Sequence, residues 1–443
     1  MRKSNIILII FTIVLSSAFA KNTFAGEGLF NNKRFTDHTY VGPFNISNNK
    51  AKQAKSKLAS DLSELQTNLE VNLIYQDIQF SLTPETIKFD IDMTLANANS
   101  GEDNPIIANV SREGLATILN QELSWIQFPE DAVDSVAAGI EKELQSGIMP
   151  RNVHITDYLG TNVIPDEVVG SSEYSIDGIS PALSKAIHAL NQTVIGPFET
   201  FSLMELLTGP EVGPLSDEEM TLLSSILYSA ILQTNFHIDE RNISSVVSPN
   251  IQPGFEAAMN QTLGLDFKFT NPNKTVFTIR AAWSSGAISL VIEGKPFYYT
   301  YEPAITNIET YEPRIIRQYS AFVHEGQVFV SQEGKHGVEA IVKRTLSVDG
   351  QVVETENVSE DFYAPVHRIE IHPLSKSDSV PNNSTTEESD TTQNFGTHTE
   401  TEIETPGPEG VESDNSGSNE VSDKNGELEE EVIYDKSGLP IGK

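Results

Sequence analysis

The spacing of apolar residues in the first part of the chain predicts a small α+β domain, which we place at residues 36–165. Apolar positions at steps of three and four predict a helix with Ser47 as its N-cap. Period-two alternation then predicts strands, whose inward residues are Val71, Leu73, Tyr75, Ile78, Phe80, Leu82, Ile87, Phe89 and Ile91. Two more helices are predicted, one starting near Ser111 and one that follows Pro129 and stops at Gly147.

Residues 175–303 show mixed helix and strand patterns, which predict a second α+β domain. Ser180 and Pro181 predict the start of one helix. A second helix begins at Ser216, where Ser216 and Glu219 have the spacing of a capping box. A strand over 236–239 follows, and its alternation makes His237 a half-exposed strand histidine.

Residues 304–373 alternate almost throughout and predict an elongated all-β domain. Asp349-Gly350 lies between two alternating runs and predicts a two-residue hairpin turn. The expected fold class is therefore α+β, with two mixed domains followed by a β domain.

The N-terminus, residues 1–25, fits a secretory signal. Arg2 and Lys3 precede an apolar run from Ile6 to Leu15. Small residues allow cleavage after Ala20 or after Ala25. The run is too short for a permanent membrane span, and no later stretch approaches the required length of about 20 apolar residues. We expect a secreted or wall-associated protein, and the absence of cysteine suits a Gram-positive surface.

Composition changes at the C-terminus. Residues 374–443 carry 17 acidic and 4 basic residues, which is −13 of the net charge of −34. Such a segment cannot bury enough apolar area to offset its chain entropy, so we expect a disordered acidic tail. The strongly acidic balance argues against nucleic acid or an anionic membrane as partner, since both need a basic face.

Three stretches of the central segment carry a family resemblance. They are Thr193 to Ser202, the run Ser224-Ser225-Ile226-Leu227-Tyr228-Ser229-Ala230, and Asp266-Phe267-Lys268-Phe269-Thr270-Asn271. In this order they resemble motifs of the VanW-like family: a Pro-Gly-Glu-x-Phe-Ser turn, a Ser-Ser-Thr-Leu-Tyr-Asn-Ala helix and an Asp-Phe-x-Phe-x-Asn strand. The resemblance covers roughly 130 residues.

The departures from the family pattern concern its reactive residues. The family has a Gly-Gly-Gly-x-Cys-Gln motif at the helix start and an Arg-His-Pro-His on the following strand. The cysteine position falls at Thr221, and the two histidine positions fall at Asn242 and Ser244. A thiolate beside histidines is a reactive arrangement, whereas a threonine without an adjacent base is inert. We therefore expect no catalytic residue.

The flanking segments also show resemblances. The layout of the first, with Gly42, a helix and the Ser81-Leu82-Thr83 step, resembles the peptidoglycan-binding module that often precedes VanW-like domains. A generic α+β domain without a ligand explains it equally well. The third segment, with 332–337, Asp349-Gly350 and 364–369, resembles the five-glycine domain, which implies contact with amino sugars. An elongated β spacer is the alternative.

Candidate glycan contacts are the neighbouring residues Tyr298, Tyr299 and Tyr301, because sugars stack on aromatic rings in shallow polar grooves. Alternation would bury some of them. No ligand spacing for a metal and no cofactor motif is present, so neither metal nor cofactor is expected.

The leading hypothesis is an exported, non-catalytic protein that binds peptidoglycan or another amino-sugar polymer. One alternative is a wall-active hydrolase or transferase that uses unrecognised residues. Another is a scaffold that binds other proteins of the surface or of a spore layer. The state of the region around Thr221 and Asn242, open and polar or filled, distinguishes the first two.

Overall fold

The structure is a computed structural model that describes residues 33–160 and 163–374. The predicted signal segment, and the predicted tail beyond its first residue, lie outside the described residues. The described residues form two compact units, one made of 33–160, 163–309 and 338–363 and the other of 310–337 and 364–374. Among these residues, no helix is both long and apolar enough to cross a membrane. The domain boundaries drawn from the sequence remain predictions.

The N-terminal part is a small α+β arrangement, as predicted. Its elements are β1 (Tyr40–Val41), β2 (Phe44–Asn45), α1 (Ala51–Thr67), β3 (Val71–Tyr75), β4 (Ile78–Ser81), β5 (Ile87–Phe89), α2 (Ile91–Asn97), β6 (Asp103–Asn104), β7 (Ala108–Val110), α3 (Arg112–Glu122), α4 (Glu130–Leu144) and β8 (Arg151–His154). Strand β3 is central in a sheet of order β4-β3-β8. It runs antiparallel to β4 and parallel to β8. Apolar side chains of β3, α3 and α4 share one core.

Two local predictions in this part are wrong. Helix α1 begins after Lys50, not after Ser47. The chain turns through Asn48, at φ 60°, and the Ser47 hydroxyl instead binds the backbone of Thr39. Ile91 belongs to α2 and not to a strand, because Asp90 caps that helix by accepting from the Met93 amide at 2.8 Å.

The predicted start of α3 is confirmed. The Ser111 hydroxyl accepts a hydrogen bond from the Gly114 amide at 3.1 Å. Helix α4 follows Pro129, also as predicted. Both helix starts depend on residues within one turn of the end, which is why the sequence predicts them.

The central part contains two sheets around a buried helix. Its elements are β9 (Glu167–Ser175), α5 (Pro181–Leu190), β10 (Thr193–Ile195), β11 (Thr200–Ser202), α6 (Leu203–Leu207), α7 (Asp217–Ile231), β12 (His237–Glu240), β13 (Lys268–Thr270), β14 (Phe277–Ser284) and β15 (Ala287–Gly294). The sheets have the orders β10-β14-β15-β9 and β11-β13-β12. The predicted N-cap of α5 is confirmed, since Ser180 accepts from the Leu183 amide at 3.0 Å.

Helix α7 is the centre of this part. Of its 15 residues, 11 are buried, so it lies inside the core and presents no broad polar face. It packs closely on β9 at Gly170, where an added Cβ would lie 2.4 Å from the carbonyl oxygen of Ala230. Only a glycine permits this approach of strand and helix.

The remaining part is all-β, as predicted. Its strands are β16 (Thr300–Tyr311), β17 (Ile315–Ser320), β18 (Phe329–Gln332), β19 (Gly337–Val348), β20 (Gln351–Tyr363) and β21 (Arg368–Pro373). They form sheets of order β16-β19-β20 and β17-β21-β18. Asp349 and Gly350 join β19 to β20 with φ values of 49° and 75°. Positive φ at both positions is what a type I′ hairpin turn requires, so the predicted turn is confirmed.

Candidate functional site

The first turn of α7 is capped by side chains of its own residues. The Ser216 hydroxyl accepts from the Glu219 amide at 3.2 Å, and the Glu219 carboxylate accepts from the Ser216 amide at 3.0 Å. The predicted capping box is therefore present. The acidic first turn, Asp217 to Glu219, stabilises the helix through its dipole and repels an anionic group that approaches this end.

Thr221, at the family's cysteine position, has its hydroxyl engaged by the main chain. It accepts a hydrogen bond from the Met259 amide at 3.0 Å and donates to the Met259 carbonyl at 3.4 Å. The residue is 9% exposed. The hydroxyl thus uses its proton and one lone pair in hydrogen bonds to the backbone of Met259. A nucleophile needs a side-chain base at that position, so the geometry is that of a structural threonine.

The two serines that follow have the same structural role. The Ser224 hydroxyl donates to the carbonyl of Ala257. The Ser225 hydroxyl accepts from the Ala257 amide at 2.9 Å and donates to the Thr221 carbonyl at 2.6 Å. Hydroxyls on successive positions of α7 thus fix the segment 257–259 against the helix. The hydroxyls of Thr221, Ser224 and Ser225 are therefore all engaged by backbone groups of the protein itself.

Asn242 and Ser244, at the family's histidine positions, are also bonded within the protein. The Asn242 amide group donates to the Glu240 carboxylate and to the Asp266 carbonyl, each at 3.4 Å. The Ser244 hydroxyl donates to the Glu256 carboxylate at 2.7 Å, and the Ser244 amide binds the same carboxylate at 3.0 Å. None of these groups forms a hydrogen bond with the Thr221 hydroxyl.

A buried ion pair lies beside this region. Arg241 binds both carboxylate oxygens of Asp361 in β20, with one nitrogen-to-oxygen distance of 2.8 Å. Its guanidinium lies 4.6 Å from the ring centroid of Tyr228. Burial is the largest single influence and lowers the pKa of Arg241, but the hydrogen bond and charge of Asp361, together with Tyr228 and Tyr363, raise the pKa by more. Burial raises the pKa of Tyr228, so its hydroxyl stays protonated.

The predicted glycan contacts Tyr298, Tyr299 and Tyr301 come together around Asp77, which the sequence analysis missed. The Asp77 carboxylate accepts from the amides of Tyr298 and Tyr299 at 2.7 and 3.1 Å and from the Tyr301 hydroxyl at 2.9 Å. Tyr301 is only 8% exposed, and burial raises its pKa. Burial also raises the pKa of Asp77, although the three hydrogen bonds act against this.

This cluster joins the β3–β4 turn to the central part. The Tyr75 hydroxyl donates to the Pro296 carbonyl at 2.9 Å, and the Gln76 side chain donates to the Lys295 carbonyl at 3.1 Å. Tyr301 therefore has a structural role, whereas Tyr298 and Tyr299 remain partly exposed. Glycan binding by these tyrosines stays a prediction.

A different aromatic residue is open to solvent in the second unit. Tyr319 in β17 is 61% exposed, and its ring centroid lies 6.0 Å from that of His372 in β21. Arg368 and His372, on the same face of β21, both bind the Glu370 carboxylate, at 2.9 and 3.1 Å. These hydrogen bonds lower the pKa of Glu370. The face thus combines one exposed ring with a row of hydrogen-bonded polar and charged side chains.

A groove of about 350 Å³ lies between β9 and α7. Strand β9 contributes Ser172, Glu173 and Tyr174, and the loop 251–255 closes one side. Within the part of the chain that the structure describes, Glu173 is the only charged residue in the lining. The other wall is formed by Leu222, Ser225, Ile226 and Ser229 of α7 and by Gln233 just beyond its end, so the groove begins at the residue next to Thr221. In residues 33–160 and 163–374 no group of three acidic or histidine side chains is placed to hold a metal ion.

Comparisons with known proteins match two parts of the chain. Residues 220–292 match the family model described as VanW like protein, and residues 303–370 match that of the G5 domain. No curated protein matches the chain. Two solved structures are similar to parts of the chain. The "IgA1 Protease G5 domain structure" is 29% identical, covers 18% of this chain and 92% of its own, and has a TM-score of 0.16. The "Crystal structure of HP0197-G5" is 27% identical, covers 17% of this chain and 96% of its own, and has a TM-score of 0.13. The chain thus carries a VanW-like segment followed by a G5 domain, in the order that the sequence resemblance predicts.

Proposed function

We propose that this protein is an exported, non-catalytic protein that binds peptidoglycan or a related amino-sugar polymer of a Gram-positive cell wall. A VanW-like segment with a G5 domain is consistent with an extracellular, wall-associated protein.

The observation that supports a non-catalytic role is the bonding of Thr221. Its hydroxyl is held between the amide and the carbonyl of Met259, and the residues at the two histidine positions bind Glu240, Asp266 and Glu256 instead. A hydrolase or transferase at this place would need a nucleophile bonded to a base. We infer that the helix start maintains the fold and does not perform chemistry.

For the binding surface we propose the face of Tyr319 in the G5 segment. Tyr298 and Tyr299, in the first unit, are a separate and weaker candidate surface. A ring exposed to solvent is available to stack on a sugar, and charged groups beside it can bind sugar hydroxyls and amides. Tyr319 presents more open ring surface than the two partly exposed tyrosines. A role for the G5 segment as a spacer is the alternative for this face.

Co-sedimentation of the full chain with purified cell walls tests the proposal. Wild type should sediment with walls above a non-binding control protein. Tyr319→Ala should weaken binding by about two- to tenfold, the effect of losing one aromatic stacking contact. Tyr319→Phe, which keeps the ring, is the matched control and should bind like wild type. Absence of sedimentation at every salt concentration would contradict wall binding and favour a surface protein scaffold.

Two further measurements test the absence of catalysis and the cleavage of the signal. Incubation with walls should release no soluble muropeptides, and release that disappears in Thr221→Ala would show an active helix end. N-terminal sequencing of protein from the wall fraction should begin at Lys21 or Gly26 if the signal is cleaved as predicted.

The acidic tail should oppose binding to walls, because wall polymers are themselves anionic. Deleting 374–443 removes 17 acidic residues and should tighten binding at low salt. At 0.1 M salt the Debye length is about 10 Å, so the gain should be small at that concentration and above. Walls stripped of teichoic acid are the control, and the gain should be smaller with them.

A further inference from the structure

Strand β9 is the edge of its sheet, so one side of its backbone has no strand partner among residues 33–160 and 163–374. At Ser171 this side is occupied by a side chain. The Gln233 carbonyl oxygen accepts from the Ser171 amide at 3.2 Å, and the Gln233 amide group donates to the Ser171 carbonyl at 2.6 Å. Gln233 thus makes the two hydrogen bonds that a neighbouring strand would make there.

The same edge continues into the groove. Backbone groups alternate between the two sides of an antiparallel strand, so Glu173 points its amide and carbonyl to the same side as Ser171. The Ile176 amide confirms the alternation, because it points the other way and donates to the Gly286 carbonyl at 2.8 Å. Pairing with β15 is regular from Gly170 to Ser175. The groove therefore contains one amide and one carbonyl of an edge strand at Glu173.

The opposite wall suits side chains of an added strand. Ser172 and Tyr174 pair with Leu290 and Ile288 of β15, which are buried in the core, so their side chains face α7. Across from them lie the apolar side chains of Leu222, Ile226 and Phe255. An extended chain in the groove can bind backbone on one side and pack apolar side chains on the other.

We propose that this groove binds an extended, basic polypeptide segment of a partner protein as an additional strand on β9. The backbone of an edge strand suits a polypeptide as occupant, because an extended main chain offers a donor and an acceptor at the spacing of each outward-facing residue. Charge identifies it as basic. Of the described residues that line the groove, Glu173 is the only charged one, and the chain as a whole carries −34, so acidic segments are repelled. This interaction goes beyond wall binding and uses different residues.

The test uses the full chain and three capped octapeptides. One alternates lysine and valine, a second alternates glutamate and valine, and a third is the lysine peptide N-methylated at alternate residues. The lysine peptide should bind at low salt. The glutamate peptide should bind at least about tenfold more weakly than the lysine peptide, because its carboxylates are repelled by Glu173. The methylated peptide should also bind at least about tenfold more weakly, because it has lost the backbone donors along one edge.

Variants at one position separate backbone from charge. Glu173→Pro removes the outward amide but no bond to β15, and proline is tolerated on an edge strand when its nitrogen faces outward. It should lower affinity for the lysine peptide at least about tenfold. Glu173→Gln keeps the amide and should lower affinity only a few-fold while weakening its salt dependence. Ser229→Leu, which narrows the groove from α7, should also lower affinity, and circular dichroism checks that each variant folds.

Equal binding of the methylated and unmethylated peptides would overturn the proposal, as would unchanged affinity in Glu173→Pro or no binding of the lysine peptide at low salt. Displacement of the peptide by soluble glycan fragments would instead make the groove a saccharide site. Wall sedimentation of Glu173→Pro should equal that of wild type, so failure of this inference is distinguishable from failure of the proposed function.

Discussion

The guanidinium of Arg241 is held between the ring of Tyr228 and the carboxylate of Asp361, with both the arginine and the aspartate side chains largely buried. We expect Arg241→Met to lower the free energy of unfolding by about 3–5 kcal/mol, because it leaves the Asp361 charge buried without a partner. Urea denaturation measures this change. Arg280→Met is the matched control, since its partner Glu293 is substantially exposed and the loss should be at most about 1 kcal/mol. Equal losses in the two variants would show that burial of the pair has no energetic effect.

Thr221 offers a test of structure against chemistry at one position. Thr221→Val keeps the shape but leaves the buried Met259 amide without its acceptor, so we expect a loss of about 1–3 kcal/mol of stability with wall binding retained. Thr117→Val is the control, because the exposed Thr117 hydroxyl donates only to the Glu113 carbonyl of its own helix, and its change should stay within about 0.5 kcal/mol. Lost binding in a stable Thr221→Val protein would assign this residue a direct function.

The approach of β9 to α7 depends on a missing side chain. Gly170→Ala would place a Cβ 2.4 Å from the Ala230 carbonyl oxygen, so we expect thermal and urea unfolding to show a loss of about 1–3 kcal/mol through overpacking. Gly178→Ala meets no heavy atom within 4 Å and should leave stability nearly unchanged. A neutral Gly170→Ala would mean that the strand moves away from the helix without cost.

Asp77 predicts a pH dependence with a definite sign. Burial raises its pKa from the ordinary value of 3.8, so the folded state retains a proton that the unfolded state has lost. Stability from this group is therefore present at acid pH and falls as pH rises from 3.8 through the folded pKa. The free energy of unfolding of wild type, relative to Asp77→Asn, should decrease over that interval. A constant difference between the two proteins from acid to neutral pH would contradict this.

The features that the sequence predicts well are local. The capping box of Ser216 and Glu219 and the turn at Asp349-Gly350 each depend on residues at most three positions apart, and side-chain chemistry at that range is readable from the chain. The predicted cap at Ser47 is wrong because the Ser47 hydroxyl binds the Thr39 backbone instead of a helix amide.

The features that the sequence does not predict depend on distant partners or on weak patterns. Asp77 binds Tyr298, Tyr299 and Tyr301 across sequence separations of 221 to 224 residues. The sequence therefore does not distinguish tyrosines that bind Asp77 inside the protein from tyrosines that are free to stack on a sugar. Strand β9 has no apolar alternation, because Ser172 and Gly170 occupy its inward positions, and the groove beside it is therefore invisible to pattern analysis. The substitution at the cysteine position is evident from the sequence, but the bonds of Thr221 to Met259 are not.

The long separation between Asp77 and its tyrosines also sets an order of events during synthesis. A chain made from its N-terminus presents the β3–β4 turn 221 residues before Tyr298 exists. At roughly 5–20 residues per second this interval is about 11–44 s. Until the tyrosines are made, Asp77 has none of these three partners, and its carboxylate is hydrated. Dehydration of this carboxylate by its tyrosine partners therefore requires the chain to be made through Tyr301, and the joint between the N-terminal and central parts cannot form before then.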